Sequence, residues 1–207
     1  QCGGPNPYRI AAKRTFAYCI VQQLGRAPDT VLIPCGGGAG MVAAHDAFRE
    51  MFAAGVIDRM PRLVGVQLQA CDPTARAFHE GRDAVTPVDK KPSLSDAIMN
   101  NNPYWGRYCL QAVRETGGTM ISVSDADFIR TIRELGREEG LFTEPAGSVS
   151  VAALRYLVKV PGFENPGLTV CNLTGHGLNV PQVATDESET PGVIPPTVEA
   201  VEAFLQS

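Results

Sequence analysis

Two hydrophobic patterns alternate along the chain. Segments with apolar residues at every third or fourth position have the period of a helix, and the short apolar runs between them are typical of buried strands. The helical pattern predicts helices over 10–24, 41–54, 104–115, 124–139, 145–158 and 197–204, and a short helix capped by Asp72. The apolar runs predict strands over 30–35, 63–68, 119–123 and 168–173.

This alternation determines the expected fold class. Helices that alternate with buried strands are typical of a mainly parallel sheet with helices on both faces, so we predict a three-layer α/β fold. Residues 81–103 contain scattered prolines and an asparagine run, and we expect loops there. Residues 1–180 are predicted to form the domain portion, and residues 181–207 a linker and a final helix.

Composition and charge narrow the possible partners. The chain has 207 residues, of which 44% are hydrophobic and 19% charged, and its net charge is −4. A slightly acidic chain without a basic patch is a poor candidate for binding nucleic acid. Its longest apolar runs have the length of strands, which predicts no membrane span.

The cysteines and histidines predict neither a disulfide framework nor a metal site. The six cysteines form no CxxC pair, and several stand inside apolar patterns. We expect them to be buried, reduced thiols of a cytoplasmic protein. A zinc site would need clustered ligands, and the three histidines are far apart in the sequence.

The most informative motif is a glycine cluster between a strand and a helix. Gly36, Gly37, Gly38, Ala39 and Gly40 follow the apolar run 30–35 directly. Their backbone N–H groups, with the helix N-terminus behind them, form a cradle for an anion, and we expect a phosphate there. A tight structural turn is the alternative.

Two other phosphate motifs fit this cluster poorly. The glycine spacing is not GxGxxG, and Gln67 and Gln69 stand where a dinucleotide-binding fold needs an acidic residue. No Gly-Lys-Ser or Gly-Lys-Thr follows, which excludes a P-loop.

A second glycine-rich turn follows the last predicted strand. Thr174 either bonds to local backbone or presents a neutral hydroxyl to a ligand, where it can bind a ring nitrogen without protonating it. His176 is interpreted as a turn residue, and Glu144 as a favourable charge at the start of a helix. Both glycine-rich turns follow strands, and ligands of parallel sheets bind at the carboxyl ends of strands.

Several motifs occur together in an order that resembles the threonine synthase family, which belongs to the fold type II pyridoxal-phosphate enzymes. The resemblance covers about residues 5–180. The motifs are Asn6-Pro7-Tyr8-Arg9-Ile10 with Lys13, the loop 34–40, the segment 58–67, Glu144-Pro145-Ala146 and Leu173-Thr174-Gly175-His176-Gly177-Leu178.

The resemblance implies a function and a cofactor site. The family converts O-phospho-L-homoserine and water to L-threonine and phosphate with pyridoxal phosphate as cofactor. Its glycine loop holds the cofactor phosphate through backbone amides, which assigns residues 36–40, and its Thr-Gly-His-Gly threonine binds the pyridine nitrogen, which assigns Thr174. The usual loop is Gly-Asn-Gly-Gly-Asn, so glycines at 37 and 40 remove side chains that the family carries there.

The resemblance also implies that part of the active site is missing. The family carries its Schiff-base lysine in a Ser-x-Lys-Asp motif before the Asn-Pro-Tyr-Arg segment, and no such motif occurs here. Lys13 lies in the first helical pattern and does not match it. The chain opens without methionine at Gln1, so we expect the carboxyl-terminal portion of a longer protein, inactive alone and without catalytic residues of its own.

Other interpretations stay open. Another fold type II lyase, such as a threonine dehydratase or a diaminopropionate ammonia-lyase, would share most of these motifs. A non-catalytic domain that binds a phosphorylated metabolite is the alternative of a different class. Family members are often dimers, which predicts a homodimer by analogy.

Overall fold

A computed structural model describes Gly4, residues 6–185 and residues 193–206. The other residues of the glycine-rich start and the middle of the predicted linker lie outside the described residues. In the part that is described, no helix is both long enough and apolar enough to cross a membrane.

The core of the fold is a four-stranded sheet in the order β3-β2-β1-β4. The strands are β1 (Thr30–Pro34), β2 (Arg62–Leu68), β3 (Thr119–Val123) and β4 (Thr169–Cys171). Every neighbouring pair is parallel, with Leu32 opposite both Val64 and Cys171. The predicted parallel sheet is therefore confirmed, although β4 is shorter than expected and ends its pairing near Cys171.

Helices connect the strands and cover the sheet. They are α1 (Pro7–Lys13), α2 (Thr15–Leu24), α3 (Ala39–Ala53), α4 (Pro73–His79), α5 (Gly106–Glu115), α6 (Asp125–Glu134), α7 (Pro145–Ala152), α8 (Leu154–Leu157), α9 (Gln182–Thr185) and α10 (Val198–Leu205). A π-helical turn, Leu135–Glu139, continues α6. Ser124 begins α6 with a capping box that includes Asp127.

Two separate apolar clusters lie on the two faces of the sheet. The first packs α1, α2, α3 and α5 around Val31, Ile33 and Phe48. The second packs α6, α7 and α8 around Leu32, Val66 and Phe128. Successive residues of β1 thus point to opposite faces and are buried on both, which explains its uninterrupted apolar run. The three-layer α/β architecture is confirmed.

Some local expectations were wrong. The single helix expected over 10–24 is two helices that meet at Arg14, whose guanidinium reaches across to Asp46 and Glu50 of α3. Asp72 precedes α4 without capping it, because its carboxylate binds Arg76 and Ser122 instead. Cys19 is exposed rather than buried, because it lies on the outer face of α2.

The remaining described cysteines are buried or half-buried free thiols. Burial raises the pKa of the Cys171 thiol to about 12. The pKa of the Cys109 thiol is raised by its hydrogen bond with Cys35, whose sulfur lies 3.8 Å away, and by burial. Burial and the hydrogen bond both disfavour the thiolate, so we interpret Cys109 and Cys171 as unreactive thiols that fill space in the core.

The start of β3 depends on a backbone contact that only glycine permits. A Cβ atom on Gly118 would lie 1.9 Å from the Leu63 carbonyl oxygen, and neither backbone can move without breaking the β2–β3 pairing. We predict that Gly118→Ala lowers the free energy of unfolding by about 3 kcal/mol, measured by urea denaturation of the protein at its natural length.

Gly136→Ala is the matched control for Gly118→Ala. A Cβ on Gly136 would meet nothing within 4 Å, so this variant should change the free energy of unfolding by less than about 0.5 kcal/mol. Equal stabilities of the two variants would contradict the assigned contact.

Candidate functional site

The two glycine-rich turns lie side by side at one edge of the sheet. β1 and β4 are parallel neighbours, so their carboxyl ends meet there, and the turns that follow them face one cavity. The cavity has a volume of about 680 Å³, within the usual range for a small-molecule site. Residues 36–40, Asn172 and Thr174 all contribute to its wall.

The glycine loop turns tightly from β1 into α3. Gly38 caps the helix with φ 92°, in the left-handed region that favours glycine. A Cβ there would lie 2.4 Å from the Cys109 sulfur, and a Cβ on Gly36 would lie 3.0 Å from the Ile98 Cα. Residues with side chains would therefore displace the loop from its neighbours.

The loop leaves a row of donors available. Among the described residues, no protein acceptor receives the N–H groups of residues 36–40. α3 begins at Ala39 and runs for 15 residues, so its positive end is directed at the same place. This arrangement fits a phosphate group, which needs several donors and no bulky neighbour.

A buried glutamine holds the loop in place. Gln67 near the end of β2 donates from Nε2 to the Cys35 carbonyl oxygen at 2.9 Å, and its Oε1 accepts from the Ala75 N–H at 2.9 Å. Its side chain is fully buried. Sequence reasoning noted Gln67 only in place of the acidic residue of a nucleotide fold, because its structural role depends on partner atoms far away along the chain.

Thr174 belongs to a small polar network. Its hydroxyl donates to Glu144 Oε1 at 3.0 Å, and Asn179 donates to Glu144 Oε2 at 2.8 Å. Glycine at residue 175 makes room for this carboxylate, because a Cβ there would lie 2.4 Å from the Glu144 carboxyl group. Of the two alternatives for Thr174, the bond to local backbone is not the one found, because its hydroxyl binds the Glu144 carboxylate. Glu144 stands at the start of α7 as expected, and its side chain binds the turn rather than the helix.

His176 has the turn role that the sequence predicts. Its Nδ1 accepts the Leu178 N–H at 3.2 Å, and its ring stands edge-on to Phe142. It does not line the cavity. In the part of the chain that the structure describes, no cluster of His, Cys, Asp and Glu could hold a metal ion.

Sequence reasoning missed the basic wall of the cavity. Arg9 and Lys13 lie one helical turn apart on α1 and line the cavity together with Lys90. The pKa of Lys13 is lowered, first by partial desolvation of its ammonium group and then by the nearby Arg9 charge. The spacing of four residues could have identified the pair, since such residues share one helix face.

Two aromatic residues beside the loop also line the cavity. Tyr104 is 63% exposed, whereas Trp105 packs in part against the first apolar cluster. Trp105 is half-buried, and its backbone N–H donates to the Gly37 carbonyl oxygen at 3.1 Å. They lie here because α5 begins beside the glycine loop rather than under the sheet.

Comparisons with a family model and with individual known sequences agree with each other. Residues 1–175 match the family model described as "Pyridoxal-phosphate dependent enzyme". Threonine synthase of Methanosarcina acetivorans is 34% identical over 197 residues, covering 95% of this chain and 49% of the relative. Threonine synthase of Synechocystis sp. is 37% identical, and the match covers 88% of this chain and 45% of the relative. The chain thus spans about half the length of these relatives.

Solved structures show the same fold. The processed form of threonine deaminase isoform 2 from Solanum lycopersicum matches with a TM-score of 0.66 at 17% identity, covering 86% of this chain and 48% of that one. Maize serine racemase matches with a TM-score of 0.70 at 14% identity, and the match covers 86% of this chain and 51% of the racemase. From the match over residues 1–175, together with the loop geometry, we conclude that this chain belongs to the pyridoxal-phosphate dependent enzyme family.

Proposed function

We propose that this chain forms the phosphate-binding half of a threonine synthase active site. The complete protein would convert O-phospho-L-homoserine and water to L-threonine and phosphate, as the names of its relatives suggest. The observation that carries the proposal is the meeting of the glycine loop and Thr174 at one cavity. In the domain division that goes with it, residues 1–180 would build this half, and residues 181–207 would be a linker and a final helix.

The proposed cofactor contacts use the groups that point into the cavity. The amides of Gly36, Gly37, Gly38, Ala39 and Gly40 would hold the phosphate of pyridoxal phosphate, and Thr174 would face its ring nitrogen. When bound, the cofactor withdraws electrons from the amino acid and so stabilises negative charge next to the amine. The chain's own part is to hold and orient this group.

Glu144 changes what Thr174 can offer. A carboxylate is a stronger acceptor than a neutral nitrogen, so the Thr174 proton stays on the Glu144 side and its oxygen remains free to accept. We therefore propose that this hydroxyl receives a hydrogen bond from a protonated ring nitrogen. This differs from the role suggested by the sequence, where the hydroxyl donates to an unprotonated nitrogen.

The basic wall supports a phosphorylated substrate. Arg9, Lys13 and Lys90 line the same cavity as the glycine loop, and they outnumber the two carboxylates that also line it, Asp96 and Glu144. A cofactor phosphate and a substrate phosphate would bring considerable negative charge into one site, and these cations would offset it. A dehydratase that acts on threonine itself would have no second phosphate to balance.

The glycine loop generates a prediction about cofactor affinity. Gly38→Ala combines a strained left-handed φ with a Cβ only 2.4 Å from the Cys109 sulfur. We expect pyridoxal phosphate to bind about 100-fold more weakly, measured by equilibrium dialysis on the full-length protein.

Gly117→Ala serves as the control for Gly38→Ala. Gly117 also has a left-handed φ, 62°, but a Cβ there would meet nothing within 4 Å, and the residue does not line the cavity. Affinity should stay within about two-fold of wild type. Unchanged cofactor affinity in Gly38→Ala would argue against phosphate binding at this loop.

Another prediction concerns the lysine that bonds to the cofactor. We propose that it lies outside this chain, whose lysines are Lys13, Lys90, Lys91 and Lys159. Borohydride reduction of the holoenzyme fixes the cofactor to its lysine, and peptide mapping then identifies that residue. The label is expected outside the 207 residues. A label on Lys13, which lines the cavity, would overturn this part of the proposal.

The substrate assay tests the function itself. The full-length protein should release phosphate and form threonine from O-phospho-L-homoserine, and should not form 2-oxobutanoate from threonine at a comparable rate. Formation of 2-oxobutanoate alone would favour a threonine dehydratase. Cofactor binding without either product would favour a non-catalytic, metabolite-binding role.

Homodimer formation and a cytoplasmic location remain predictions. Light scattering on the purified protein would test whether it forms a homodimer.

A further inference from the structure

The segment between Ile98 and Trp105 packs against the glycine loop and forms the adjoining wall of the cavity. Its backbone is close enough at Ile98 that a Cβ on Gly36 would contact it at 3.0 Å. The Trp105 N–H binds the Gly37 carbonyl oxygen at 3.1 Å, which fixes the other end of the segment to the loop. Side chains between these two points therefore have a defined position relative to residues 36–38.

Asn100 is the polar side chain at the centre of this wall. It lines the cavity, and its Nδ2 lies 3.1 Å from where a Cβ on Gly37 would be. The φ of Gly37 lies outside the left-handed region, so the backbone does not itself require glycine there. The absence of a side chain at residue 37 makes room for the Asn100 amide.

The orientation of the Asn100 amide is set by a turn. Its Oδ1 accepts the Asn102 N–H at 3.1 Å, which turns Nδ2 toward the glycine loop. Among the described residues, no acceptor for Nδ2 is found. A fixed amide donor thus stands beside a row of backbone donors that face the same cavity.

We propose that Asn100 is a ligand-positioning residue whose Nδ2 donates to the phosphate held by residues 36–40. The inference rests on the proposed cofactor site and adds to it a contact from outside the loop. The Asn100 amide occupies the space that a side chain at residue 37 would otherwise fill. A neutral donor adds direction without adding to the charge of Arg9, Lys13 and Lys90.

The test compares two ligands that differ only in the phosphate. Asn100→Ala in the full-length protein should lower the affinity for pyridoxal phosphate about ten-fold, which is the loss expected for one hydrogen bond to a charged group. Its affinity for pyridoxal, which lacks the phosphate, should be unchanged. Both are measured by equilibrium dialysis, and inorganic phosphate competes in a third titration.

Asn101→Ala is the matched control. Asn101 is the next residue in the same turn and does not line the cavity, so its replacement should leave both affinities unchanged.

Asn100→Asp keeps the acceptor for the Asn102 N–H but has no N–H to donate, and its charge repels phosphate. It should melt at the wild-type temperature while losing at least as much affinity as Asn100→Ala.

A relocated amide gives the sharpest test. In the Asn100→Ala background, Gly37→Asn has both an allowed backbone and the vacated space, and it should recover most of the lost affinity. In the wild-type background the same change crowds Asn100 and should weaken binding. Failure of the double variant to improve on Asn100→Ala would overturn the shared position of the two amides.

The outcomes separate this inference from the proposed function. Equal losses for pyridoxal and pyridoxal phosphate, or no loss for either, would overturn the role of Asn100 alone. A wild-type protein that binds no pyridoxal phosphate would overturn the cofactor site as well. A wild-type protein that binds the cofactor but acts on another amino acid would leave the Asn100 contact intact.

Discussion

The site depends on how closely two other parts of the chain approach the glycine loop at the carboxyl end of β1. Gly36 lies against the backbone of Ile98, and Gly38 lies against the Cys109 sulfur, at distances that leave no space for a Cβ. Because these residues carry no side chains, their N–H groups are exposed to the cavity rather than screened. The same crowding that makes the loop compact therefore makes it able to hold an anion.

Buried polar groups keep this arrangement in register. Gln67 uses both ends of its amide, one on the loop at Cys35 and one at the start of α4, so neither is left without a partner inside the core. Losing such a partner costs about 1–3 kcal/mol, which makes the connection specific as well as stabilising. At the second turn the half-buried Glu144 joins two exposed residues, Thr174 and Asn179.

The cavity combines two kinds of positive charge. The glycine loop offers fixed backbone dipoles, and α1 and Lys90 offer side chains that carry full charges. The dipoles need no reorganisation when an anion binds, whereas the long side chains of lysine and arginine can adjust to a ligand that enters later. This division suits a site that would hold one phosphate permanently and receive another with each substrate.

The sequence by itself determined the layered fold, the succession of strands along the chain and the two glycine-rich turns. Those features depend on local periodicity and on residue types such as glycine, which impose conformations over a few positions. The carboxyl ends of β1 and β4 could be expected to share an edge, because parallel strands align in this way. The cap at Ser124 could also be predicted, since its partners lie three residues apart.

Tertiary structure alone decided the side-chain partners. Glu144 and Thr174 are thirty positions apart, and Gln67 acts on Cys35 across thirty-two, so no local pattern could relate them. The first helix breaks at Arg14, whose guanidinium binds carboxylates on α3, and Asn100 lies beside Gly37 through the packing of a loop without regular pattern. Hydrogen bonds and close contacts act through space, and the sequence records only order along the chain.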